Sequence, residues 1–167
     1  CTNKGTTLSF INLNMRETAQ KTGVPIVQVE DMLTTYRQWT LDRVLKGGET
    51  VSYLGLVEMS CGPANYGLAH RQPLAAQYKQ FARENGYNVH KAETVLSYYA
   101  QTCLESLEAE KKLVLRGVGV FRITDDGALR FLRSAVHGQE GYDYRCEVNK
   151  GIRQRYNMAR SEEEDGE

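Results

Sequence analysis

LRGVGVFRI, residues 115–123, sets Gly117 and Gly119 in a run where valine, phenylalanine and isoleucine otherwise alternate with arginine. Alternation of this kind has the period of a strand, and it predicts one strand continuing on both sides of the glycines. A phosphate-cradling loop needs a glycine-rich turn that enters a helix, commonly with Lys and Ser or Thr. Strand pattern follows here instead, so the glycines are read as structural, giving room for another backbone or a helix to come close. TDDG (124–127) is a turn signal, and ALRFLRSAV (128–136) alternates as the return strand of a hairpin.

Outward from this stretch the chain repeats itself. ENGYNVHKAETVLSYYAQTCLESLEAEKKLVLRGVGVFRI (84–123) follows the plan of KTGVPIVQVEDMLTTYRQWTLDRVLKGGETVSYLGLVEM (21–59), and internal self-similarity decides architecture before any single motif does. In each copy a glycine, Gly23 or Gly86, ends a short amphipathic helix, NLNMRETAQKTG or PLAAQYKQFARENG. A helix of about twenty residues comes next. Val95, Tyr99, Cys103 and Leu107, with Leu96, Ala100 and Leu104, make its apolar face in the second copy. Val29, Met32, Leu33, Tyr36, Leu41, Val44 and Leu45 answer in the first. Glu30 and Glu93 fall early in the two helices, where the dipole favours a carboxylate. Gly47 and Gly48 stop the first long helix, and ETVSYLGLVEM reads as strand. Gly55 there matches Gly117, while Val57 and Met59 stand where the second copy has Gly119 and Phe121.

The fold class is therefore α+β, each unit being helix, helix, strand, strand. A unit of this size buries too small a fraction of its surface to be comfortably stable alone, so the two are expected to pack together. The expected boundaries are 1–60 for the first unit, 61–73 for a Gly- and Pro-containing linker, 74–138 for the second unit, and 139–167 for an extension. That extension holds a short basic helix within 144–160 and the acidic run SEEEDGE.

AQKTG (19–23), the long helix after it, and GVGVF (117–121) resemble the bacterial histone-like HU and integration host factor proteins. The resemblance covers roughly 13–60 and 74–136. It implies protomers of two helices and a three-stranded sheet, here two tandem copies joined as a single-chain pseudo-dimer. It also implies binding of double-stranded DNA with little sequence specificity, and no catalysis. The chain departs from that family in two ways. The long basic ribbon between second and third strands is replaced by TDDG in one unit and CGPANYG in the other, and the formal net charge is zero.

The neutrality is a cancellation: residues 116–160 hold nine Arg or Lys against five acids, and 161–167 adds five acids with no base. A basic stretch beside an acidic one can bind phosphate and be shielded by its neighbour. Phosphate contacts come from Lys and Arg; the candidates are Arg116, Arg122, Arg130 and Arg133 on the second hairpin, then Lys150, Arg153, Arg155 and Arg160. Arg130 and Arg133, three apart, point to opposite faces of a strand, so only one can share a face with Arg122. Tyr142, Tyr144 and Tyr156 are candidates for stacking on bases.

The alternative is an arm-less fold used as a building block in a virion, ring or cytoskeletal assembly, with other protein subunits as partners. The neutral charge, ten tyrosines and acidic run fit it. A helix-turn-helix over 17–37 is disfavoured, because its reading helix would carry Glu30 and Asp31 towards phosphates. No catalytic residue, metal site, cofactor or small-molecule substrate is expected. His70, His90 and His137 are scattered, the four cysteines lie far apart as reduced thiols, and Asp125 and Asp126 read as turn formers. Trp39, the one tryptophan, belongs in the core. No apolar run is long enough to span a membrane, and the expected location is the cytoplasm or nucleoid, or, in the alternative, a virion or large assembly.

Overall fold

The computed structural model describes residues 12–60, 73–133 and 144–158; residues 61–72 of the 61–73 linker, Arg160 and the acidic run lie outside them. Asn12 accepts the Met15 amide on its side chain and caps α1, Leu13–Thr22, which closes on Gly23 in the left-handed region at φ 75. Sixty-three residues later α3, Leu74–Asn85, closes the same way on Gly86 at φ 77. The long helices follow at once: α2, Ile26–Leu45, after Pro25, and α4, Val89–Glu110, capped by the Asn88 side chain on the Lys91 amide.

The strands are β1, Val51–Tyr53; β2, Val57–Ser60; β3, Lys112–Leu115; β4, Gly119–Ile123; β5, Ala128–Arg133; β6, Arg145–Val148; and β7, Asn157–Met158, with helix α5, Lys150–Arg155, between the last two. The described chain is thus α+β, with five helices and two small sheets in the orders β1-β2-β6 and β3-β4-β5-β7. All pairings are antiparallel except that of β7 with β5.

Two sequence expectations change. Residues 115–123 do not form one strand, nor do 49–59. Tyr53 pairs with Val57 and Leu115 with Gly119, so Leu54–Leu56 and Arg116–Val118 are three-residue turns. The Leu56 amide donates to the Tyr53 carbonyl and the Val118 amide to the Leu115 carbonyl. Alternation reads alike on both arms of a short hairpin, and the glycine between them supplies the positive φ of the turn, 73 at Gly55 and 76 at Gly117. Leu54 also sits at φ 60. That costs roughly 1–2 kcal/mol and is offset by burial of its side chain, which is 2% exposed.

The second change concerns β6. The sequence assigns 139–167 to an extension, yet Arg145–Val148 pairs with β2 along its whole length, from Val57 with Val148 to Ser60 with Arg145. The short basic helix follows as expected, and β7 then joins the other sheet beside β5. One segment, 145–158, therefore stitches the two sheets together. Short-range pattern carries no information about a partner strand so distant in sequence.

Each glycine of the opening stretch has a defined neighbour. A Cβ at Gly119 would lie 2.5 Å from the Phe131 ring and 2.6 Å from the Leu132 carbonyl oxygen, so β4 and β5 approach through it. A Cβ at Gly117 would lie 2.8 Å from Nη1 of Arg37 on α2, and one at Gly55 would lie 3.0 Å from Leu74 on α3. Both turns thus pack against a helix of the other half.

Glu30 is the fifth residue of α2, past the first turn, and is buried. Burial first, then neighbouring Asp31, pushes its carboxyl above the usual range. The folded state therefore holds that proton more tightly than the unfolded chain, and ionisation removes stability as pH rises through the ordinary carboxylate range.

Two results are expected from these contacts. Gly119→Ala should cost about 1–3 kcal/mol by overpacking, more than Gly127→Ala, where φ is 85 but nothing lies within 4 Å of the added carbon; urea denaturation compares them. Glu30→Gln should raise the melting temperature at pH 7 and leave it unchanged where both forms are neutral, well below the usual carboxylate range.

Candidate nucleic-acid interface

Residues paired directly across antiparallel strands share a face. In the second sheet Leu113, Phe121 and Phe131 form one such row and turn inward, the Phe121 and Phe131 rings meeting at a tilt with centres 4.8 Å apart. The next row, Lys112, Arg122 and Arg130, therefore turns outward. Lys112 and Arg122 are exposed and Arg130 is half-buried. Strands stand about 4.8 Å apart, so three cations cross the sheet within roughly 10 Å. Beside them runs an apolar row, Val114, Val120 and Leu132, of which Val114 and Leu132 are each 51% exposed.

The eight cations singled out from sequence separate into distinct groups. Arg122 and Arg130 stand together because β4 and β5 pair them directly, so Arg130 is the one of Arg130 and Arg133 that shares the face of Arg122. Arg133 turns to the opposite face, where its Nη1 donates to the Tyr144 carbonyl at 2.5 Å and its guanidinium lies 4.6 Å from the Tyr144 ring centre. Arg116 is exposed in the turn after β3, at the end of that strand away from Lys112. Lys150, Arg153 and Arg155 are exposed on α5, which is held down by buried Ile152 and capped by the Asn149 side chain on the Gly151 amide. Arg160 lies outside the described residues.

The pairing of Asn157 with Ala128 brings the end of α5 alongside the 124–127 turn. Asp126 there accepts the Thr124 hydroxyl first and the Ala128 amide second, which lowers its carboxyl pKa. Arg155, the last cation of α5, thus stands two residues before the strand that pairs beside this turn.

Lys112 is a candidate that the sequence did not reveal. Its signal was the turn: once Arg116–Val118 is a three-residue loop, counting back from Leu115 pairs Lys112 with Arg122. Tyr144 is buried and Tyr156 half-buried, so neither is a free stacking platform, and Tyr142 lies outside the described residues. The corresponding positions of the first sheet differ. There Ser60 pairs with Arg145, and the row equivalent to Val114, Val120 and Leu132 is Ser52, Glu58 and Glu147. The Glu58 carboxylate accepts from the Ser52 hydroxyl at 3.2 Å and from Asn149 Nδ2 at 3.0 Å.

Other chemistry is sparse among the described residues. Cys103 and Cys146 are free thiols, each pushed up to about 12 chiefly by burial, which suppresses the reactive thiolate. No group of three or more His, Cys, Asp or Glu is placed to hold a metal ion. His90 is exposed at the start of α4, and His70 and His137 lie outside the described residues. No described helix is long and apolar enough to cross a membrane. No protein-family model, curated protein or solved structure matches the chain.

Like charges set directly opposite each other weaken a sheet. In a chain whose acids at 162–167 are neutralised, so that they cannot shield the row, Arg122→Thr should therefore stabilise the protein by about 0.2–1 kcal/mol at low salt, with the gain fading as salt screens the row; thermal melts at two ionic strengths measure it.

Proposed function

We propose that this chain binds double-stranded DNA without sequence preference, through the outer face of its second sheet, on a tandem HU-like pseudo-dimer. The observation that carries the reading is the Lys112, Arg122 and Arg130 row, three cations aligned across adjacent strands on one face. Phosphate neutralisation supplies most sequence-independent affinity, and a flat row of cations contacts a backbone without reading bases.

The pseudo-dimer reading is supported by three features. Helix, helix, hairpin occurs twice, with Gly23 and Gly86, and Tyr36 and Tyr99, sixty-three residues apart. Both hairpins gain a third strand on the same side, β6 on β2 and β5 on β4. The halves also interlock: α1 packs on α4, and α3 sets Tyr78 and Phe81 against Tyr36 of α2. In the family it resembles, long arms carry much of the DNA contact. Here Thr124–Gly127 is a tight turn closed by the Gly127 amide on the Thr124 carbonyl, so the sheet face must serve.

Exposed Val114 and Leu132 favour a second reading, in which the same face meets a protein subunit of acidic, partly apolar character. Fluorescence anisotropy with a mixed-sequence duplex separates the two. Binding at low salt should weaken steeply as salt rises, and Lys112→Glu and Arg122→Glu should each weaken it and lower the salt slope by about 1. Arg153→Glu and Arg155→Glu should have smaller effects. Absence of binding at low salt, also with the acids of 162–167 neutralised, would overturn the DNA reading in favour of the protein partner.

A further inference from the structure

The chain that follows β7 carries an anionic stretch. β7 runs parallel to β5, pairing Met158 with Leu129, and Arg130 is the next residue along β5. The chain thus leaves the described structure at the edge of the second sheet, level with the start of the cationic row. Within a few residues it reads SEEEDGE, 161–167, with acids at Glu162, Glu163, Glu164, Asp165 and Glu167.

We propose that this acidic stretch docks along the Lys112, Arg122 and Arg130 row and competes with DNA for it. The inference rests on the DNA reading above and adds its regulation. Reach is sufficient: from β7 to β3 is three strand spacings, about 14 Å, while the nine residues 159–167 extend up to about 30 Å. Charge is complementary, since Lys112, Arg122 and Arg130 share one face of the sheet and 162–167 carries five carboxylates with no base. The apolar row beside it offers nothing to carboxylates, so docking is confined to the cationic line. Tethering makes the carboxylates an intramolecular competitor, present at an effective concentration in the millimolar range.

The test compares the full chain with a full-length variant carrying Glu162→Gln, Glu163→Gln, Glu164→Gln, Asp165→Asn and Glu167→Gln. Duplex anisotropy is read at low and at high salt, and carbodiimide cross-linking of the DNA-free protein is mapped by mass spectrometry. The expected result is at least roughly fivefold tighter DNA binding by the variant at low salt, a gap that closes at high salt, and a cross-link in the native chain from Lys112 to an acid of 162–167 that added duplex suppresses. Equal affinities of two chains that both bind, or absence of that cross-link, would overturn the competition and leave the DNA reading intact. Failure of both chains to bind would overturn the competition and the DNA reading together.

Discussion

Tyr36 is fully buried, and both halves of the protein meet on its ring. Trp39 and Tyr53 of its own half lie 5.8 and 5.7 Å away between ring centres, and Tyr78 and Phe81 of the other half lie 5.7 and 5.0 Å away. A phenol hidden from water needs a partner for its hydroxyl, and this one donates to the Ser52 carbonyl at 2.8 Å. Ser52 lies in β1, an edge strand of the first sheet. Its outward amide donates to Oε1 of Gln77 and its carbonyl accepts from Nε2 of the same side chain, each at 3.1 Å. One buried glutamine on α3 thus does for β1 what a neighbouring strand would, protecting the edge that open sheets leave exposed. Without α3, β1 would keep unpaired backbone groups and Tyr36 would lose two of its aromatic neighbours, so the first half does not close its core alone. Trp39 ties the same junction at its rim: its Nε1 donates to Glu84 at 2.8 Å, and Arg43 lies over its ring while bonding Glu84 and Glu49. The Trp39 hydrogen bond is the chief reason that the Glu84 carboxyl stays below its usual range.

That interlocking explains what could be read from the sequence and what could not. The helices were legible because their signals are local: glycines at 23 and 86, and apolar residues at helical spacing that are in fact buried at Val29, Met32, Leu33 and Tyr36 and again at Val95, Leu96, Tyr99 and Cys103. Trp39 is in the core, as its place on the long helix implied. The hairpins were not legible, because period-two alternation passes through a three-residue turn without changing phase: Leu115 and Gly119 share a face whether the run is straight or folded back. The opposition of Arg130 and Arg133 needed only strand geometry and held. Lys112 needed the register, which the misread turn concealed. Strand β6 was beyond any local signal, since its partner lies far away in the chain and RCEV carries no mark of the first sheet.

The two sheets share a register and differ in what they present. Val57 in the first sheet stands where Gly119 stands in the second, and the reason lies in the third strand: Val57 faces Val148, whereas Gly119 leaves room for the Phe131 ring. On the outer face the divergence is sharper. Ser52 and Glu58 are covered, the first bound by Gln77 and the second by Asn149, which follows β6. Val114, at the position of Ser52, is 51% exposed. Asn14, the residue of α1 at the position of Gln77 in α3, donates to the Cys103 sulfur instead. The first sheet has its outer face occupied by its own chain; the second presents cations and valines outward.

Net charge is therefore a poor guide to what this surface can hold. Fields from exposed charges fade over a Debye length of about 8–10 Å at physiological salt, so a phosphate at the second sheet responds to the groups within that radius and not to the sum over the chain. Lys112, Arg122 and Arg130 fall within one such radius of each other, and they share no face with Glu58 and Glu147, which belong to the other sheet. The three cations of α5 are carried instead on a short helix whose end leads into β7, where Asn157 pairs with Ala128 after the 124–127 turn. Strand pairing thus gathers three cations onto one face of the second sheet in a chain whose formal charge is zero.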